Sequence, residues 1–120
     1  LTADGKANDK FAHFGDILET GHWHSDMPGL TDSAKVIAYS EGCPRQIVEY
    51  GNLVYGFQCH MEFTPEVVEL LIAASEPELA TLTSHRFVQQ PAILRAHDWQ
   101  VMNGQLFVFL DRLMQAYAAQ

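Results

Sequence analysis

A histidine and a glutamate two residues apart, His60 and Glu62, are the side chains of this sequence best suited to chemistry. On an extended strand the side chains alternate between two faces, so these two point the same way. The carboxylate can then orient the imidazole and stabilise its protonated form. The imidazole can act as general base toward a thiol and as general acid toward a leaving amine. Such a pair is often a surface coincidence, and it needs a nucleophile from elsewhere in the fold.

The residues around the pair alternate in character, as expected for a strand with one buried face. One face would hold side chains that can pack in a core: Leu53, Tyr55, Phe57, Cys59 and Met61. The other would hold Val54, Gly56, Gln58, His60 and Glu62. Half-burial of a strand does not require a Gln-x-His-x-Glu row, and the glycine leaves space beside it. We therefore expect the pair to project from a strand into an open pocket.

Short strands should position this segment. Three β-rich stretches are separated by turn signals: residues 34–40, 46–50 and 53–60. We expect two or three of them to pair as antiparallel strands. Residues 17–24 have an extended, mixed character, and residues 1–15 are predicted to form a loop.

Helices are predicted after the pair, where the hydrophobic period changes. Thr64 supplies an N-cap and Pro65 the first helical residue, which predicts a helix to about Ser75. Residues 76–83 predict a separate short helix. A longer helix is predicted after Asp98, because an apolar stripe follows at helical spacing: Trp99, Met102, Leu106, Leu110, Leu113 and Tyr117.

The segment from Tyr55 to Phe63, YGFQCHMEF, closely resembles the Y-G-x-Q-F-H-P-E segment of class I glutamine amidotransferases. In that family the His and Glu complete a Cys-His-Glu triad. The tripeptide HSD at residues 24–26 resembles a family loop beside the bound glutamine, and residues 34–40 followed by Gln46 match the run toward the family's hairpin. The three matches agree in order and spacing. They cover roughly residues 21–71, and the C-terminal helices resemble those of compact, GMP-synthase-like members.

This resemblance implies an α/β, flavodoxin-like fold: a largely parallel central sheet with helices on both faces and a small antiparallel section near the triad. Residues 1–120 would form the C-terminal portion of a single glutamine amidotransferase domain. The family's nucleophile lies in a G-x-C-x-G elbow N-terminal to this region, and no such elbow occurs in these 120 residues. The first residue is Leu1 rather than Met, and we expect the nucleophile-bearing N-terminal portion to lie outside this chain.

The resemblance also implies a reaction. A cysteine thiolate attacks the side-chain amide of glutamine, ammonia leaves, and water clears the γ-glutamyl thioester. His60 would move the protons and Glu62 would orient it. Four residues would border the glutamine pocket: Trp23, His24, Ser25 and Asp26. No metal or organic cofactor is expected, and this chain alone should be inactive.

Two other functions use the same residues. A γ-glutamyl peptide hydrolase would use the same triad, since only the leaving amine differs. A non-catalytic binding or regulatory module would keep the fold without the chemistry. A G-x-C-x-G elbow upstream favours an enzyme, whereas serine or glycine in place of its cysteine favours the module.

The two cysteines are not expected to act as the nucleophile. Cys59 stands where the family has an aromatic residue, and Met61 where it has proline; both lie on the predicted core face. The Cys59 thiol is therefore expected to be buried and inert. Cys43 precedes Pro44 in a predicted turn and lacks the flanking glycines of an elbow.

A metal site is the competing interpretation of residues 22–26, which read H-x-H-x-D. Alternating histidines on a strand can face one ion, as in metallo-β-lactamases. The sixth residue of that motif is Met27 here, and Glu41 and His60 fit a cupin site poorly. We expect no metal, and no role for His22.

Composition restricts the partners. The sequence has 15 Asp+Glu against 7 Lys+Arg, a net charge of −8, so neither nucleic-acid nor membrane-surface binding is expected. No apolar run approaches the roughly 18 residues that span a bilayer. Two cysteines without zinc-type spacing suggest reduced thiols in a cytoplasmic protein. The expected partners are glutamine or a γ-glutamyl substrate, the other half of the domain, an ammonia-accepting synthetase and, through exposed apolar edges, a second copy.

Overall fold

A computed structural model describes all residues, Leu1–Gln120, as an α/β chain with one small sheet. The sheet has three antiparallel strands in the order β1-β2-β3: Lys35–Ala38, Ile47–Gly51 and Val54–Phe57. Val36 lies opposite Val48, and Glu49 lies opposite Tyr55. The predicted antiparallel strands are confirmed. The third ends at Phe57 rather than His60, because the chain beyond it leaves the hairpin.

The N-terminal segment is not the predicted loop throughout. Helix α1, Ala3–Ala7, is followed by a single 3₁₀ turn, Ala12–Phe14. The Thr2 hydroxyl caps α1, and the Thr2 backbone N–H donates to the Ile37 carbonyl of β1 at 2.9 Å. Gly5 allows this close approach, since a Cβ there would lie 2.2 Å from the Ile37 oxygen. Sequence periodicity could not reveal α1, because one short turn has no repeat.

Helix α2, Pro65–Thr81, is one helix where two were predicted, so that prediction is wrong. Its predicted start is confirmed: the Thr64 hydroxyl accepts from the Val67 N–H at 3.4 Å. Pro77 lies inside the helix and removes one backbone donor. The helix continues past Pro77 because buried side chains lie on both sides of it, Ile72 before and Leu79 after.

Two further helices complete the chain. Helix α3, Pro91–Ala96, was not predicted; Arg95 joins it to Glu69 of α2 through a 2.6 Å ion pair. Helix α4, Trp99–Ala118, confirms the prediction of a long helix after Asp98, whose carboxylate accepts from the Gln100 N–H at 3.0 Å. No helix combines the length and the apolar character needed to cross a membrane.

A core of 13 buried residues lies between the sheet, the N-terminal segment and the helices. Phe11 is fully buried, and its ring centroid lies 4.8 Å from that of Phe109 on α4. Three residues after β3 also belong to this core: Cys59, Met61 and Phe63. The alternation predicted for this segment therefore persists beyond the strand. The side chains between these three buried residues, those of His60 and Glu62, consequently point outward.

Candidate functional site

The imidazole of His60 and the carboxylate of Glu62 lie side by side. His60 Nδ1 is 2.7 Å from Glu62 Oε1, within hydrogen-bond distance. The His60 side chain is 34% exposed and that of Glu62 is 61% exposed. Buried Cys59, Met61 and Phe63 alternate with them, and this alternation aims both polar groups outward. The predicted pairing is present, although these residues follow the strand instead of belonging to it.

The backbone of His60 is fixed by a two-way bridge to Gly21. The His60 N–H donates to the Gly21 carbonyl at 2.7 Å, and the Gly21 N–H donates to the His60 carbonyl at 3.0 Å. A Cβ on residue 21 would lie 2.6 Å from a ring carbon of Phe63 and 2.8 Å from the His60 oxygen. Only glycine permits this approach. The only indication of this role in the sequence is a glycine within an extended stretch, and it was not predicted.

The ring of His60 is held by Phe63. Their ring centroids are 4.6 Å apart and the planes are nearly parallel, at 7°. Phe63 is itself buried and its edge faces Trp99 of α4 at 6.0 Å. The imidazole therefore rests on a surface anchored in the core, which limits its rotation.

Asn103 of α4 fixes the backbone on either side of Glu62. Its side-chain amide donates to the Met61 carbonyl at 2.7 Å and to the Phe63 carbonyl at 3.0 Å. This role of Asn103 was not predicted from the sequence. The only indication in the sequence is a polar residue directly after Met102, in a helix that is otherwise recognised by its apolar side chains.

This arrangement suits proton transfer. With Nδ1 next to the Glu62 carboxylate, the proton-transferring position left on His60 is Nε2, which makes no hydrogen bond within the chain. A carboxylate on one nitrogen fixes the tautomer and stabilises the imidazolium, so Nε2 can accept a proton and return it. Nucleophilic catalysis would require, in addition, a nucleophile within reach of this nitrogen.

Neither cysteine supplies that nucleophile. Cys59 is 4% exposed, and burial raises the pKa of its thiol to about 11. Cys43 is also buried, and its thiol faces the Arg45 carbonyl at 3.6 Å. A thiolate is the reactive form, so a buried thiol with a raised pKa is a poor nucleophile. The prediction that Cys59 is buried is confirmed.

The segment predicted to border a glutamine pocket follows Gly21 and therefore lies next to His60: Trp23, His24, Ser25 and Asp26. Trp23 packs against the core, whereas Ser25 and Asp26 are exposed. His24 Nδ1 lies 3.0 Å from the Asp26 carbonyl oxygen, and its Nε2 is buried without a partner. The structure brings this segment to the pair; its contact with a substrate stays a prediction.

His22, for which the sequence predicts no role, lies near the pair. Desolvation lowers the pKa of its imidazole, and the nearby imidazoles of His24 and His60 lower it further. The His22 and His24 ring centroids are 5.8 Å apart. No group of three or more His, Cys, Asp or Glu side chains is placed to hold a metal ion.

A cavity of about 270 Å³ has a polar lining that includes Thr20, His22, Ser40 and Gln46. His60 and Glu62 line neither this cavity nor a second one of about 660 Å³, so the expected open pocket beside them is not found in either. The pair is instead exposed at the surface, where a further segment of protein could close over it.

Comparison with known proteins finds a curated relative. The chain is 58% identical over 118 residues to a protein of Salmonella typhimurium (strain LT2) that is provisionally named glutamine amidotransferase-like protein YfeJ; the match covers 98% of this chain and 49% of that protein. The chain is similar over nearly its whole length to half of this glutamine amidotransferase-like protein. The resemblance seen in the sequence is thereby confirmed.

A solved structure is similar to the chain in its fold. The crystal structure of SMU.1228c superposes with a TM-score of 0.90 at 49% identity, over 95% of this chain and 49% of that one. No protein-family model matches the chain. The chain therefore spans about half the length of the relatives it matches.

Proposed function

We propose that this chain supplies the His-Glu part of the catalytic triad of a class I glutamine amidotransferase. The observation that carries the proposal is the 2.7 Å approach of His60 Nδ1 to Glu62 Oε1, on a backbone locked to Gly21. Residues 1–120 would form the C-terminal portion of one flavodoxin-like domain of the compact, GMP-synthase type, in the cytoplasm. The part outside this chain would bear the cysteine, and the two parts together are called the complete domain below.

The complete domain would hydrolyse the side-chain amide of glutamine in two steps. His60 Nε2 takes the proton of the cysteine thiol, and the thiolate attacks the amide carbon. His60 then gives the proton to the departing nitrogen, and ammonia leaves a γ-glutamyl thioester. Water, deprotonated by His60, attacks the thioester and releases glutamate and the thiol. Glu62 stabilises the imidazolium formed in each step.

Glutamine would be bordered by the segment next to the pair: Trp23, His24, Ser25 and Asp26. Support comes from the Gly21–His60 bridge, which places this segment at the edge of the pair, and from the unpartnered Nε2 of His24. A buried nitrogen without a partner costs free energy unless a ligand or another segment meets it. A synthetase could accept the ammonia released.

A chimera in which this chain replaces the matching half of the Salmonella protein tests the proposal. The chimera should release ammonia from glutamine, and His60→Ala should lower kcat/KM by roughly 10²-fold or more, since general acid–base catalysis contributes about 10²–10⁴-fold. His97→Ala is the matched control, because His97 also pairs with a glutamate, Glu19, at 3.3 Å.

The outcomes separate the candidate functions. Ammonia release at the wild-type rate from the His60→Ala chimera would show that His60 does not have the proposed catalytic role. Amine release from γ-glutamyl peptides but not from glutamine would assign a peptide hydrolase. A folded chimera without activity on either substrate would assign a non-catalytic module.

A further inference from the structure

Helix α4 carries more apolar surface than its own packing uses. Its buried side consists of Trp99, Met102 and Phe109, flanked by partly buried Leu106 and Leu113. A second set of apolar side chains on α4 is exposed: Phe107 at 65%, Leu110 at 41%, Met114 at 62% and Tyr117 at 66%. A helix at a protein surface normally presents polar residues there, and one that is apolar over most of its circumference is buried in the complete protein.

Four of the exposed apolar side chains form one continuous row, called the α4 stripe: Phe107, Leu110, Met114 and Tyr117. Their spacings of three, four and three residues place them on the same face of a helix. The row extends over about 15 Å at a rise of 1.5 Å per residue. It is thus long enough to receive an element of another segment and not merely one side chain.

The α4 stripe begins at the candidate site. Asn103 lies four residues before Phe107, on the same face, and its amide holds the carbonyls on either side of Glu62. An element that covers the stripe therefore also runs alongside the segment bearing His60. The exposed apolar row is thus adjacent to the segment that bears His60 and Glu62.

The relatives indicate how much polypeptide is available to cover it. The chain matches 49% of the Salmonella protein and 49% of the SMU.1228c chain, so about as much again accompanies the matched half in each. A second copy of this chain could also cover an apolar row, but it would bring no elbow cysteine to His60.

We propose that the α4 stripe is the surface on which the nucleophile-bearing part of the domain docks. The proposal rests on the proposed function, and it adds where the two parts meet. Contact along the stripe would bring that part alongside the segment bearing His60, so the same packing that buries the apolar row would also set the distance from the sulfur to the imidazole.

Co-expression tests the surface through binding alone. The probe is the half of the Salmonella protein that this chain does not match, produced in the same cells as the tagged chain. The unmodified chain should retain that half as a one-to-one complex. The double variant Phe107→Glu, Met114→Glu should retain at least ten times less, because two charges would be buried without partners. The matched control is Val101→Glu, a residue of α4 that is 58% exposed and turned away from the stripe.

Folding is checked by circular dichroism and thermal unfolding, and the single variant Tyr117→Glu replaces the double variant should that unfold. Equal retention by stripe variant and unmodified chain overturns the proposal. The proposal is also overturned if the unmodified chain does not retain the half. It is overturned as well if the chain forms no complex but dimerises, and the stripe variant is monomeric. A complex that forms as expected but releases no ammonia contradicts the proposed function and leaves the docking surface standing.

Discussion

Two histidine–glutamate pairs in this molecule show how differently the same groups can be held. In the first, His60 Nδ1 lies 2.7 Å from Glu62, and the ring stacks flat on Phe63 at 7°. In the second, His97 Nδ1 lies 3.3 Å from Glu19, a residue that is 82% exposed. His97 follows the end of α3 and meets the ring of Trp99 edge-on, at 74°. The two pairs consist of the same residue types, but the contacts that hold the histidine in place differ.

The difference lies in the backbone. His60 is tied to Gly21 by two hydrogen bonds, and the segment around Glu62 is tied to α4 by Asn103. The second pair joins residues far apart in sequence through an exposed carboxylate, and exposed ion pairs contribute little. A preorganised pair suits catalysis because its geometry needs no rearrangement during the reaction. The support around the histidine, and not the presence of a carboxylate, distinguishes a candidate site from a surface contact.

The largest effect should come from the carboxylates. In the chimera, Glu62→Gln should lower kcat about 100-fold with KM little changed, because the variant loses the negative charge that stabilises the imidazolium. Glu19→Gln, its counterpart in the second pair, should leave both constants unchanged. Steady-state ammonia release with glutamine measures both. Equal losses in the two variants would erase the distinction between the pairs.

Much of the first pair was predictable because its determinants are local. Alternation of apolar and polar residues predicted which way His60 and Glu62 point, and Thr64 predicted where α2 begins. The end of β3 and the continuity of α2 through Pro77 were mispredicted, since tertiary packing overrides local signals there. The contacts of Asn103 span 42 and 40 residues, and no local pattern specifies them.

The next largest effect should come from the bridge at Gly21. Gly21→Ala would force a Cβ against Phe63 and the His60 carbonyl, and such overpacking costs typically about 1–3 kcal/mol. Gly104→Ala is the control: nothing lies within 4 Å of a Cβ there, and alanine in a helix interior gains up to about 1 kcal/mol. Urea unfolding of the chain measures both. A neutral Gly21→Ala would mean that the bridge does not hold His60 in place.

Cys59, the buried neighbour of His60, should make stability depend on pH. Burial raises the pKa of its thiol from 9.0 to about 11, so the folded chain keeps the proton where the unfolded chain loses it. The associated stability is fully present below pH 9 and is lost as pH rises toward 11. Thermal unfolding at pH 8 and pH 11 should show a larger loss for the unmodified chain than for Cys59→Ala. Identical losses would place the thiol in contact with solvent.

The smallest effect should come from Asn103. Asn103→Ala leaves the carbonyls of Met61 and Phe63 without their donor, which should cost about 1 kcal/mol in all, at roughly 0.5 kcal/mol for each of the two part-buried hydrogen bonds. Gln115→Ala, an exposed position on the same helix, should cost almost nothing. The effect should also be local: ring-current shifts of the His60 protons, produced by the stacked Phe63 ring, should weaken, while those of His97 against Trp99 stay as they were. Unchanged His60 resonances in a destabilised variant would show that Asn103 anchors α4 without orienting the pair.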